Sequence, residues 1–266
     1  MAYPAPSLGL SLGFSLEGRS AVVIGGTSGI GKLIATGFAR AGADVAPSSR
    51  RASEVSATAD AIEALGRLSL RQPSDVNDRA SLERLLAAAV AAFGKVDILV
   101  TCQGRHQKKP TLDVTEEEYA AVMETNLTGT FRACQIFGRH MLERGSGRII
   151  TIASLTSFLG FHEVTAYTTS KAGVAGLTRS LAVEWGPRGV LVNALAPGVF
   201  VTPLNRAVVE GTPRGQELLM RTPLRRFGDL EELLGPAVFL ASDAASFVNG
   251  QILGVDGGFL ASGVNQ

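Results

Sequence analysis

The stretch Ser20-Ala21-Val22-Val23-Ile24-Gly25-Gly26-Thr27-Ser28-Gly29-Ile30-Gly31-Lys32-Leu33-Ile34 decides the fold. Its first five residues are small or β-branched and uncharged, the composition of a strand buried on both faces. From Ile30 onward Leu33, Ile34, Gly37, Phe38 and Ala41 recur at helical spacing and form one apolar face. Glycines stand between the two at positions 25, 29 and 31. A strand turning through glycines into a helix lets backbone approach a pyrophosphate, whose charge meets free N–H groups and the helix dipole. The spacing is G-x-x-x-G-x-G rather than the commoner G-x-G-x-x-G, and a plain tight turn would use the same glycines. The flanking strand and helix favour a dinucleotide held by Gly25, Thr27, Ser28, Gly29, Ile30 and Gly31.

On either side the same alternation continues. Strands are expected at Ser20–Gly25, Ala43–Ser48, Leu68–Gln72, Ile98–Cys102, Arg148–Ala153, Val190–Ala196 and Gln251–Val255. Helical patterns separate them at Ala52–Leu65, Arg79–Phe93, Glu116–Glu143, Ala166–Trp185 and Asp229–Leu240. The reading is an α/β, Rossmann-like, doubly wound seven-stranded parallel sheet with helices on both faces, in one domain over residues 14–266. Residues 1–13, rich in Pro, Ser, Gly and Leu, read as a flexible arm with neither the basic start nor the apolar run of a signal peptide. Residues 198–223 carry Pro203, Pro213 and Pro223 after a strand end, where such sheets bind ligands, and read as a substrate lid. Pro47, near the end of a strand, cannot donate to a ladder and is out of place there.

Across 266 residues, 25 basic and 24 acidic side chains give a formal charge of +1, which argues against a dedicated nucleic-acid binder. No run of about 18 apolar residues marks a membrane span. Cys102 and Cys134 are the only cysteines, too few for a disulfide framework or a zinc or iron–sulfur site, so no metal and a cytoplasmic location are expected.

Cofactor choice rests on the end of the second strand, which offers Ser49, Arg50 and Arg51 and no acid; Asp44 lies at the strand's other end. A guanidinium fork suits a 2′-phosphate better than a ribose diol, so NADP(H) is favoured over NAD(H). Two solvated arginines opening a helix would read the same way. Tyr167 and Lys171 lie one helical turn apart and leave one face of their helix. Ser154 ends a strand at the edge of the sheet where ligands bind. Singly, Ser154 is as well explained as a strand-end hydroxyl, and Asn126 as a helix cap.

From Phe14 to Gly258 the sequence resembles the short-chain dehydrogenase/reductase family. The resemblance rests on Gly25 to Gly31, Asn126 in Asn-Leu-Thr-Gly, Ser154, the Tyr-x-x-x-Lys of Tyr167 and Lys171, and Pro197-Gly198. It implies hydride transfer to or from a nicotinamide, a homotetramer, Asp75 and Val76 flanking the adenine, and Thr202 near the carboxamide. It further implies Tyr167 as proton-exchanging group, Lys171 lowering its pKa, Ser154 holding the same oxygen, and Asn126 holding a water that relays protons to Lys171. Two places depart from the family pattern: Ile24 stands for the usual Thr, and Thr101-Cys102-Gln103-Gly104 for Asn-Asn-Ala-Gly. There, apolar packing plus a Thr hydroxyl is expected to replace a polar bridge, with altered cofactor contacts around Cys102, Gln103 and Gly104.

The loop Arg105-His106-Gln107-Lys108-Lys109 concentrates cations at the predicted mouth and would steer a small anion, although a solvated basic loop reads alike. His162 and Arg206 are further substrate candidates, more readily peripheral, beside Arg105 and His106. The basic loop, Ser154–Phe158, Arg221–Gly228 and Val255–Leu260 are similar to gluconate 5-dehydrogenases and related sugar-acid dehydrogenases. Interconversion of a sugar acid such as gluconate with its 5-keto form is the favoured expectation. A 3-oxoacyl-carrier-protein reductase and a non-catalytic NADP(H)-binding sensor or scaffold are the alternatives.

Overall fold

The computed structural model describes residues 13–202 and 205–263. The expected arm lies almost wholly outside them, as does Pro203 of the lid. Strand β1 (Ser20–Ile24) pairs in parallel with β2 (Asp44–Ser48) on one side and β3 (Ile98–Thr101) on the other; β4 (Gly147–Ile152), β5 (Val190–Pro197) and β6 (Ile252–Val255) follow in the order β2-β1-β3-β4-β5-β6. Consecutive residues feed opposite layers, as alternation along a strand requires. Val22, Leu99 and Ile149 meet one core with Leu82, Phe137 and Trp185, while Val23, Val100 and Ile150 meet another with Ile34, Phe38 and Leu240. Helices α1 (Gly29–Arg40) and α2 (Ala52–Glu63) therefore lie on one face, and α3 (Arg79–Phe93) on the other. The winding direction reverses between β1 and β3, which opens a crevice at their carboxyl ends.

The sheet has six strands, not seven. Leu68–Gln72 makes one parallel bridge, Ser69 to Val45, with Val45 N–H donating to the Leu68 carbonyl at 3.0 Å. Alternation along β2 directs the nitrogen of residue 47 to that same outer side, and Pro47 has no hydrogen there to donate. Pairing stops after one rung. This accounts for Pro47, whose other neighbour in the sheet, Val23, stays in register.

The single helix expected over Glu116–Glu143 is three pieces: α4 (Glu116–Met123), a π turn (Glu124–Thr128) and α5 (Gly129–Arg144). The π turn carries Asn126. Helix α6 (Thr165–Trp185) brings Tyr167 and Lys171 under the end of β4. The segment expected as a lid holds two helices, α7 (Arg206–Val209) and α8 (Pro213–Arg221), and α9 (Leu234–Ala241) returns to the sheet. No helix among the described residues is long and apolar enough to cross a membrane.

Candidate active site

A cleft of about 670 Å³ runs along the carboxyl ends of β1 and β3, from Arg50 and Arg51 at one end to Tyr167 and Lys171 at the other. Its floor is the glycine turn. Gly25 has φ of 76°, and a Cβ there would lie 2.6 Å from the Gln103 backbone nitrogen. At Gly31 a Cβ would lie 2.0 Å from the Gly25 carbonyl oxygen, so only bare backbone lets the turn enter α1. Ser28 caps α1 without a side-chain hydrogen bond, and no acid occupies the first turn. The leading N–H groups thus face the cleft beside Thr27, Ser28 and Ile30, an arrangement suited to a pyrophosphate. Gly29 stands against Thr202, which closes the cleft from the lid side.

At the outer end Ser49 Oγ is buried with no partner among the described residues, a donor suited to an anion. Arg50 lines the same wall, exposed. Arg51 leads α2 and is paired with Glu54. Asp75 and Val76 form the opposite wall with Ser74 and Asn77. These groups fit a phosphorylated dinucleotide along the whole cleft.

The catalytic end is built on three elements. Ser154 follows β4, its Oγ accepting from Thr156 N–H at 3.2 Å and capping a short 3-10 turn. Tyr167 is pushed above its ordinary pKa by burial, while a hydrogen bond with the Ser154 side chain works the other way. The Lys171 ammonium donates to the Ile152 carbonyl at 2.6 Å and lies 5.7 Å from the Tyr167 ring centroid. Its own pKa is brought down to about 8 by burial. Asn126 ties the floor together: its Oδ1 accepts from Arg105 N–H at 2.7 Å, and its Nδ2 donates to the Arg105 carbonyl at 2.9 Å and to Ser170 Oγ at 3.0 Å. Its carbonyl accepts from Thr130 Oγ1, which in turn accepts from Gln103 Nε2.

The departures after β1 and β3 resolve differently from expectation. Ile24 and Thr101 are register partners, both buried, but Thr101 Oγ1 has no partner among the described residues. The link between the strands is backbone, Cys102 N–H to the Ile24 carbonyl at 2.8 Å. The Thr hydroxyl cannot bridge because the residue facing it is apolar. Cys102 lines the cleft with its thiol pushed up to about 12 by burial, so it is a neutral packing group at physiological pH.

Of the substrate candidates, Arg105 lines the cleft and the His106 ring packs on Tyr167 with centroids 4.9 Å apart. His162 points to solvent at 84% exposure, and Arg206 is spent on a surface pair with Glu210 at 2.9 Å. Pro197 and Gly198 root the lid behind Thr202, Gly198 N–H donating to the Val255 carbonyl at 2.8 Å. The basic loop is largely neutralised: Lys108 meets Glu163, and Lys109 meets Glu118 at 2.9 Å. Glu163 lies 55 residues from Lys108 and Glu118 nine from Lys109, both outside the loop, so the loop's own composition could not show the pairing. Sequence reading also passed over Glu54, Ser74, Thr125 and Ser170; Glu54 alone carried a signal, its position three residues after Arg51 in a helix.

A glycine-turn cleft at the switch point of a parallel sheet, ending in a half-buried Tyr-Ser pair beside a buried Lys, defines a nicotinamide-dependent oxidoreductase. The chain belongs to the short-chain dehydrogenase/reductase family, whose model described as enoyl-(acyl carrier protein) reductase matches residues 25–260. It is similar to 2-dehydro-3-deoxy-D-gluconate 5-dehydrogenase of Bacillus subtilis, 42% identical over 93% of this chain and 97% of the relative. Gluconate 5-dehydrogenase of Gluconobacter oxydans is 38% identical over 94% and 97%. The crystal structure of a gluconate 5-dehydrogenase from Burkholderia cenocepacia in complex with NADP and tartrate superposes with a TM-score of 0.91 at 37% identity, covering 95% of this chain and all of that one. The protein is an enzyme of this family, which removes the non-catalytic alternative.

Proposed function

We propose that the protein interconverts the secondary hydroxyl of a sugar acid and the corresponding ketone, with gluconate and 5-ketogluconate as the best pair and NADP(H) preferred over NAD(H). The observation that carries the reaction is the convergence of Ser154, Tyr167 and Lys171 at the inner end of the cleft. The bound nicotinamide supplies or accepts the hydride. In the reducing direction Tyr167, a phenol that burial holds further toward its protonated form, hands its proton to the carbonyl oxygen. Ser154 holds that oxygen through its hydroxyl. In the oxidising direction the Lys171 ammonium favours the phenolate that Tyr167 must become. Asn126 fixes the loop after β3 to the π turn and so holds one side of the site in place.

Sugar-acid specificity is supported by the relatives' substrates, by the hydroxy-diacid tartrate in the Burkholderia complex, and by Arg105, a cation on the cleft wall without an ion-pair partner among the described residues. The pairing of Lys108 with Glu163 and of Lys109 with Glu118 leaves the loop less cationic than an acidic carrier protein would call for, which favours the sugar acid over the carrier-protein alternative. NADP(H) is supported by Ser49 and Arg50 and by the NADP-bound relative. A homotetramer in the cytoplasm belongs to the same proposal, with light scattering as its first check. The deciding assay compares 5-ketogluconate, a neutral ketose of the same length and a β-ketoacyl thioester, each with NADPH. Preference for the first is expected; turnover of the thioester alone overturns the substrate class.

A further inference from the structure

We propose that Glu54 sets how strongly the protein prefers a 2′-phosphorylated dinucleotide, by occupying Arg51; the inference rests on the reading of Ser49, Arg50 and Arg51 as the 2′-phosphate end of the cleft. Glu54 grips Arg51 side-on, Oε1 at 2.6 Å from Nε and Oε2 at 2.7 Å from NH2. That two-point grip is the one a phosphate would use. The same carboxylate accepts from Thr27 Oγ1, in the glycine turn, at 3.2 Å. An ordinary exposed pair at this spacing would be a loose surface feature. Here the acid is held from two sides and is much the better covered partner, at 35% exposure against 66% for Arg51. It also sits in the first turn of α2, where the helix dipole favours a negative charge.

This arrangement treats the two nucleotides differently. A ribose 2′-phosphate finds Ser49 and Arg50 available, but reaches Arg51 only by displacing Glu54, whose like charge stands beside it. A ribose 2′-hydroxyl has no such conflict and can donate to the carboxylate. Glu54 therefore compresses a preference that Ser49, Arg50 and Arg51 together would otherwise make steep, and the wild-type protein accepts both cofactors with the phosphorylated one moderately ahead.

The test uses two probes on the full chain by calorimetry, adenosine 2′,5′-bisphosphate and AMP, and reads the ratio of their dissociation constants. Glu54→Gln keeps the length of the side chain and an acceptor for Thr27 while removing the charge; it is expected to raise the preference for the bisphosphate by about tenfold, the effect of one additional charge-assisted hydrogen bond to the phosphate. Adding Arg51→Gln should cancel that rise. AMP affinity itself reports that each variant's site is intact. An unchanged or lower ratio in Glu54→Gln, or a rise that survives Arg51→Gln, overturns the role of Glu54. A wild-type protein blind to the phosphate, together with a Glu54→Gln variant that sees it, would uphold Glu54 and refute the NADP(H) preference instead.

Discussion

The two ends of one cleft are built on opposite terms. At the inner end Lys171 is buried, Tyr167 packs between His106 and the Ser154 side, and each group's pKa is moved chiefly by loss of water. At the outer end Arg50, Arg51 and Glu54 stand near solvent, and what governs them is which charge meets which. Burial fixes the group proposed for proton transfer, whose geometry tolerates little change. Exposed charges make an affinity that single substitutions can tune, because water screens and replaces what is removed.

The sharpest way to break this contrast is Tyr167→Phe, which keeps the ring against His106 and deletes the proton donor. We expect kcat to fall by roughly 10³-fold or more while NADP(H) binding, followed by fluorescence titration, is retained. Substantial residual turnover would deny Tyr167 its role. Next is pH. Lys171 has its pKa lowered to about 8, so its charge is present below that value and lost above it. The rate constant kcat/KM for ketone reduction should be flat up to about 8 and fall about tenfold per pH unit above it. A limb appearing only near the phenol's own titration would shift the control to Tyr167. Arg50→Gln tests the outer end: KM for NADPH should rise about tenfold and KM for NADH little, since one phosphate contact is lost.

Two smaller effects concern the wall between the ends. Asn126→Ala removes both bonds to Arg105 and should cost about 2 kcal/mol, a fall of roughly 4–8 °C in Tm by calorimetry. Thr101→Val replaces a buried hydroxyl that has no partner and should leave Tm unchanged or raise it by a degree or two, on the order of 0.5 kcal/mol. A clear fall in Tm for Thr101→Val would mean that the hydroxyl does bridge the strands.

The fold was legible wherever local pattern and final surroundings agree. The β1 run, the glycine turn and α1 announce themselves because each residue's preference suits its place. The inner site was legible for the same reason, since Ser154, Tyr167 and Lys171 lie at fixed distances along two elements. What stayed hidden depends on partners outside the segment being read. The charge of Lys108 is met by Glu163, and that of Lys109 by Glu118, so the loop that reads as cationic presents mainly Arg105. The π turn at Glu124–Thr128 is invisible to helical periodicity, which runs on through it. Leu68–Gln72 has the apolar content of a strand, but pairing depends on what its neighbour offers, and Pro47 offers nothing.

Pro47 has a further consequence. The six-stranded sheet ends at β2, and a bare edge of that kind would recruit strands from other molecules. At that rim Pro47 has no N–H to offer, and residues 68–74 run alongside it: Val45 N–H donates to the Leu68 carbonyl at 3.0 Å, Ser48 Oγ to the Gln72 carbonyl at 2.8 Å and Ser74 N–H to the Ser49 carbonyl at 3.0 Å. The segment that fails to become a seventh strand thus still covers the rim on which another chain would grow.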